Sequence, residues 1–192
     1  QQAHSGSTPM NARRDAFMAA ARSALAFRED AARRDDVRGT VGFVNVSPGI
    51  VTALNGWCEV SLDQRALNAD VLADMLKTAK EASERVAEEE GVMVEWEQLW
   101  QIEPIPFNEE LIGLAEEAVS EVAGKSHRLP SGPLHDAAEM ARLMPTVMLF
   151  VKSLKGLSHT KEEDTPEEDL ELSVRALHRL ALKTLEWAAK RP

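Results

Sequence analysis

Apolar residues recur at the helical period in long stretches of this chain and alternate at period two in shorter ones, which predicts a mixed α+β protein. Thr8 and Pro9, a capping residue followed by proline at the first helical position, open the first predicted helix. It is expected to run to about Asp30, with Phe17, Ala21, Ala24 and Leu25 on its buried face. Thr40 to Val46, rich in β-branched residues and closed by Ser47, Pro48 and Gly49, reads as a strand. Trp57 to Asp63 sets Cys58, Val60 and Leu62 against Glu59, Ser61 and Asp63, the pattern of a half-buried second strand. From Asn68 to Glu90 the stripe Leu72, Met75, Ala79, Ala82 and Val86 predicts another helix, and Gly91 stands where a helix-ending glycine belongs. Val92, Val94, Trp96, Trp100 and Ile102 then share one parity and predict a long final strand.

Helix, strand, strand, helix, strand is the order of a ferredoxin-like βαββαβ sandwich lacking its first strand. Pro104 and Pro106 neither continue a ladder nor enter a helix interior, so a domain boundary is expected there, between 1–104 and 105–192. Beyond it a helix from Asn108 to about Val122 ends before Gly124, and a short one containing Asp136 to Met144 is stopped by Pro145. Thr146 to Val151 reads as a strand buried on both faces. A capping box, Thr165 to Glu168, opens a last helix with the stripe Leu170, Val174, Leu177, Ala181, Leu185, Ala188. One strand and three helices look like the end of an α/β domain.

Composition narrows the function classes. With 32 acidic against 22 basic side chains the net charge is −10, which opposes sequence-independent nucleic-acid binding, and four Trp, five Phe and no Tyr leave little for base stacking. The longest apolar run, Pro145 to Val151, falls far short of the roughly 20 residues that cross a bilayer, so no membrane span is expected. A single cysteine, Cys58, makes neither an internal disulfide nor a thiolate metal site, and suggests a cytoplasmic protein. Gln1 begins no signal-peptide pattern and is not methionine; the expectation is a processing site or the edge of a longer protein.

Four places could carry chemistry. His4 opens His-Ser-Gly-Ser-Thr-Pro-Met, an imidazole and hydroxyls at a predicted helix N-terminus, where backbone N–H groups favour anions; capping alone also explains the Ser and Thr. Arg65 at the end of the second strand could hold a carboxylate through two parallel hydrogen bonds, or simply pair with Asp63 or Asp70. His135 lies at a loop-to-helix junction after Ser131, Gly132 and Pro133, where a histidine bonded to backbone is the plain alternative. His159 follows the expected buried strand, where α/β proteins collect ligands, but one histidine is not a metal site. On its residues alone the chain is equally an enzyme part or an interaction domain.

Together the motifs add a resemblance. His4 to Ala16 is similar to the His-Ala-Gly-Thr-Thr-Pro-Met-x-x-Arg-x-Asp-Ala signature of N-carbamoyl-L-amino-acid hydrolases and allantoate amidohydrolases. Ser-Leu-Asp-Gln-Arg ending at Arg65, Ser-Gly-Pro-Leu-His-Asp-Ala from Ser131 to Ala137, and Gly-Leu-Ser-His-Thr-Lys-Glu-Glu from Gly156 to Glu163 resemble the family's later motifs in the right order. The resemblance implies a homodimeric zinc hydrolase (manganese or cobalt being possible metals) that cleaves a carbamoyl or ureido C–N bond of a small acid. A lid and dimerisation domain is inserted in its α/β catalytic domain. This chain would be the lid without its first strand, then the C-terminal part of the α/β zinc-hydrolase catalytic domain. The resemblance makes His159 a zinc ligand and His135 a stabiliser of charge on the attacked carbonyl. It sends His4 and Arg65 into the partner subunit's site, Arg65 gripping the substrate carboxylate. The family usually has asparagine where Thr52 stands, a substrate-contact position; Asn55 falls where proline is common, and Pro133 replaces a small residue. The remaining metal ligands and the general base of the family precede the lid and have no counterpart here, so the chain alone is expected to be inactive. A dimerisation fragment without catalysis, or a related metallopeptidase, are the other readings.

Overall fold

The computed structural model describes residues 1–191 and divides the chain into two compact units, Gln1–Pro104 and Ile105–Pro192. Each is a mixture of helix and short strand or extended segment.

The first unit begins with a two-residue strand β1 (Ala3–His4), then a short 3-10 turn, Met10–Ala12, and only then the helix α1 (Ala16–Ala32). Thr8 and Pro9 therefore do not open the long helix. Arg13 is extended (φ −76°, ψ 138°) and breaks the chain between the turn and α1. The cap is Asp15, whose carboxylate accepts the Phe17 N–H at 3.0 Å. The expected buried face is also corrected. Ala19, Ser23 and Phe27 are buried, whereas Phe17 and Leu25 are 40% and 60% exposed. Two apolar stripes run along α1, and the one that meets α2 (Ala69–Glu90) wins the core.

The first expected strand is split into β2 (Arg38–Thr40) and β3 (Val44–Ser47), and the second into β5 (Trp57–Val60) and β6 (Asp63–Arg65). Thr40 pairs with Asp63 and Val44 with Val60, so three residues, 41–43, face two, 61–62. That is a β-bulge in one long antiparallel hairpin. At the tip β4 (Ala53–Leu54) pairs antiparallel with β1, placing His4 opposite Ala53. Asn55 secures the tip: its side-chain oxygen accepts the Gly49 N–H at 3.0 Å, and its carbonyl accepts the Ala16 N–H at 3.0 Å.

Helix α2 follows its sequence signals. Asn68 accepts from the N–H groups of Asp70 and Val71, Gly91 closes the helix at φ 65°, and Met75, Ala79, Ala82 and Val86 are all buried. The final strand expected over Val92 to Ile102 is not formed as a ladder. Trp96 anchors the segment: its ring lies 6.0 Å from Phe27 and its indole N–H donates to the Ser83 hydroxyl at 3.0 Å. Alternation fits a strand, but a ladder needs a backbone partner, and Met93, Leu99 and Trp100 stay 92%, 74% and 66% exposed.

In the second unit α3 (Glu109–Ala123) runs from an Asn108 cap to Gly124 at φ 77°, followed by α4 (Asp136–Ala141) and α5 (Glu167–Ala189). Ala115 and Ala118 of α3 pack with Leu180 of α5, and Val147 and Leu149 close over them. Thr146 to Val151 is not a strand buried on both faces: no ladder forms there, and Phe150 is half exposed. The capping box is also corrected, since Pro166 is the cap residue and no side chain caps the helix. The buried residues of α5 are Ala176 and Leu180; Val174, Leu177 and Leu185 of the expected stripe are exposed.

An acidic α3 faces basic groups of α5. Lys183 reaches Glu117 and Glu121 at 2.9 Å each, and Glu110 accepts from the Trp187 indole and from Arg191. Arg128 bridges Glu109 and Glu116 at 2.9 and 2.8 Å. Hydrogen bonds from Trp187 (with Arg191), Arg128 and Lys183 hold the carboxyls of Glu110, Glu116 and Glu121, respectively, below the ordinary glutamate range. A carboxyl with a depressed folded-state pKa stabilises the fold at pH above its unfolded value and loses that contribution as pH falls through the folded value. Amide protection of α3 and α5 should therefore weaken as pH drops below about 4.3, and about 1 M salt should flatten the trend. Protection that does not change between neutral pH and pH ~3 would show these pairs to be idle.

Candidate functional site

The candidate residues of the first unit lie along the hairpin and the segment paired to its tip. His4 ends β1, and the next residue, Ser5, donates its N–H to the Thr52 carbonyl at 2.9 Å, so His4 and Thr52 are brought together. The chain then closes on itself. The Thr8 N–H and hydroxyl both donate to the His4 carbonyl, at 3.2 and 2.8 Å, and the Gly6 N–H donates to His4 Nδ1 at 3.0 Å. The hydroxyl of Thr8 thus closes a loop around His4 instead of capping α1.

Arg65 lies on β6, opposite Arg38 of β2. Its Nε and Nη2 meet the Asp63 carboxylate at 3.1 and 2.7 Å, a two-pronged grip that raises the already high pKa of the guanidinium. The side chain is 43% exposed, so the planar fork is both oriented and accessible. Burial, aided by the charge of Asp15, pushes the Cys58 thiol up, which favours the protonated form over the thiolate.

In the second unit His135 precedes α4 at its cap position without capping it, and its ring lies 6.1 Å from Phe150, edge to face. Its Nε2 is buried and has no hydrogen-bond partner among the described residues. A buried polar atom left open costs free energy, so this one calls for a group not among those residues. His159 has φ 59° and its N–H donates to the Glu163 carboxylate at 2.8 Å. Among the described residues no three His, Cys, Asp or Glu are placed to hold a metal ion. His159 as it stands does not make a zinc site, which takes about three protein ligands. No helix among the described residues is long and apolar enough to cross a membrane.

Sequence reasoning missed Arg13 and Gly6. Arg13 falls within the helix expected to start at Thr8 and Pro9, yet its guanidinium donates to the carbonyls of Ser5 and Thr8 at 2.7 and 3.1 Å. The one available signal was its place in the His4 motif.

Residues 4–183 match the peptidase family M20/M25/M40, and the chain belongs to that family. An N-carbamoyl-L-amino acid amidohydrolase of Geobacillus stearothermophilus is 34% identical over 175 residues, 91% of this chain and 43% of that protein. An allantoate amidohydrolase of Escherichia coli (strain K12) is 31% identical over 185 residues, 96% of this chain and 45% of that protein. The crystal structure of an amidase of the hydantoinase/carbamoylase family from Burkholderia multivorans matches with a TM-score of 0.86 at 32% identity, over 94% of this chain and 44% of that one. The resemblance drawn from the motifs is to the same group of proteins. The chain spans less than half the length of the curated relatives it matches.

Proposed function

We propose that the chain is the lid and dimerisation domain (1–104) and the C-terminal part of the catalytic domain (105–192) of a metal-dependent hydrolase. Its reaction adds water across the carbamoyl or ureido C–N bond of an N-carbamoyl amino acid or related ureido acid. The observation that carries this reading is likeness to relatives named for N-carbamoyl amino acids and allantoate, extending over more than nine-tenths of the chain. His135, whose buried Nε2 has no partner among the described residues, donates to the attacked carbonyl oxygen as it gains negative charge. His4 does the same from the lid, in the site of a partner subunit. Arg65 takes the substrate carboxylate in place of, or beside, Asp63, with Thr52 on the tip next to His4.

Zinc is the proposed metal, with manganese or cobalt as alternatives, and His159 one of its ligands. By the motif resemblance, the other ligands come from the part of the catalytic domain that precedes the lid. Such an ion, when bound, activates water for attack. The expected result is that the 192-residue chain binds well under one zinc per chain by metal analysis and releases no ammonia from N-carbamoyl amino acids. One tightly held zinc per chain together with turnover would overturn the fragment reading.

The second reading, a dimerisation fragment without catalysis, has its own support. An open cleft of about 580 Å³ between α1 and the hairpin is lined by Phe17, Leu25, Val41, Val44 and Leu62, an apolar surface of the kind that pairs subunits. Both readings require a dimer in size-exclusion chromatography, and a monomer at micromolar concentration would count against both. Turnover regained when the rest of a family catalytic domain is supplied would favour the hydrolase.

A further inference from the structure

The loop from His4 to Thr8 is held by one side chain from outside it. Arg13 Nη2 donates to the Ser5 carbonyl at 2.7 Å and Nε to the Thr8 carbonyl at 3.1 Å, so a single planar fork spans both ends of the loop. Inside it, Gly6 presents its N–H to His4 Nδ1 at 3.0 Å. An imidazole nitrogen that accepts a hydrogen bond carries no proton, so in neutral His4 the proton is on Nε2, which is left as the donor. Gly6 is also the residue over which the ring lies: a Cβ there would stand 3.2 Å from His4 Cε1. The extended break at Arg13 turns this side chain back on residues 5–8; a continuous helix from Pro9 would have pointed it elsewhere.

We propose that Arg13 is a positioning residue, which clamps the loop so that the Gly6 N–H fixes the His4 imidazole as the Nε2-protonated tautomer with its ring orientation set. The proposal rests on the hydrolase reading only for what the Nε2 donor serves; the clamp and the tautomer stand on the first unit alone. Lysine in place of Arg13 could satisfy one carbonyl but not both, because it offers a point charge in place of a fork.

The test is NMR on the ¹⁵N-labelled 192-residue chain above the histidine titration range. A through-hydrogen-bond nitrogen–nitrogen coupling between the Gly6 amide and His4 Nδ1 is expected in the parent chain. It should persist in Arg33→Ala, a variant of an exposed arginine that pairs with Glu29 of α1. It should be lost in Arg13→Ala and in Arg13→Gln, whose short amide cannot span both carbonyls, with amide exchange at Gly6 at least about tenfold faster. A retained coupling and unchanged His4 ring shifts in either Arg13 variant overturn the proposal. So does global unfolding of both, seen by circular dichroism, since Arg13 would then be holding the unit together instead of aiming a ring. None of these readouts involves turnover, so an absence of ureido hydrolysis would sink the functional reading and leave this one standing.

Discussion

Replacing Met75 by alanine should destabilise the first unit by about 2–5 kcal/mol, the range for deleting a large buried side chain from a core that cannot fully collapse. Met75 is 1% exposed and lies on the α2 face that also buries Ala79, Ala82 and Val86. Its neighbours along that face are mostly alanines, which are too short to move into the space left behind. Chemical denaturation followed by amide protection of α2 measures the loss. A change under about 0.5 kcal/mol, the range of surface substitutions, would mean that α1 and α2 do not close on this residue.

A paired substitution in α5 has the next largest expected effect and separates two descriptions of the same helix. Leu180→Ala should cost about 2–5 kcal/mol, because Leu180 is 6% exposed and packs with Ala115 and Ala118. Leu185→Ala should change stability by less than about 0.5 kcal/mol, because Leu185 is 68% exposed. The stripe read from periodicity predicts the reverse order. Denaturation midpoints of the two variants decide, and an equal loss in both would mean that the exposed stripe is covered in solution.

Those two helices show where periodicity stops being informative. Both α1 and α5 carry apolar residues on more than one face, and a moment says which sides are greasy, not which is covered. In α1 the alternative that lost, Phe17 to Leu25, became one wall of the apolar cleft beside the hairpin. Alternation failed in a similar way at Val92 to Ile102, since a period of two describes side chains while a strand is defined by the backbone opposite. The break at Arg13 was hidden for another reason. Thr8, Pro9 and the residues after them make a sound helix start taken locally, and the bonds from Arg13 back to Ser5 and Thr8, with those from Thr8 to the His4 carbonyl, show the alternative.

The site residues divide along the same line. Arg65 and Asp63, two apart on a strand, could be paired on paper, whereas the open nitrogen of His135 could not, because burial belongs to the packed chain. The sequence alone settled the family, through ordered motifs, and the ends of α2 and α3, because Asn68, Gly91, Asn108 and Gly124 act on backbone groups within a few residues. Which apolar stripe is buried, where the hairpin bulges, and how the His4 loop is tied were decided by tertiary structure. Each depends on groups brought together by folding, whose free energy no local pattern contains.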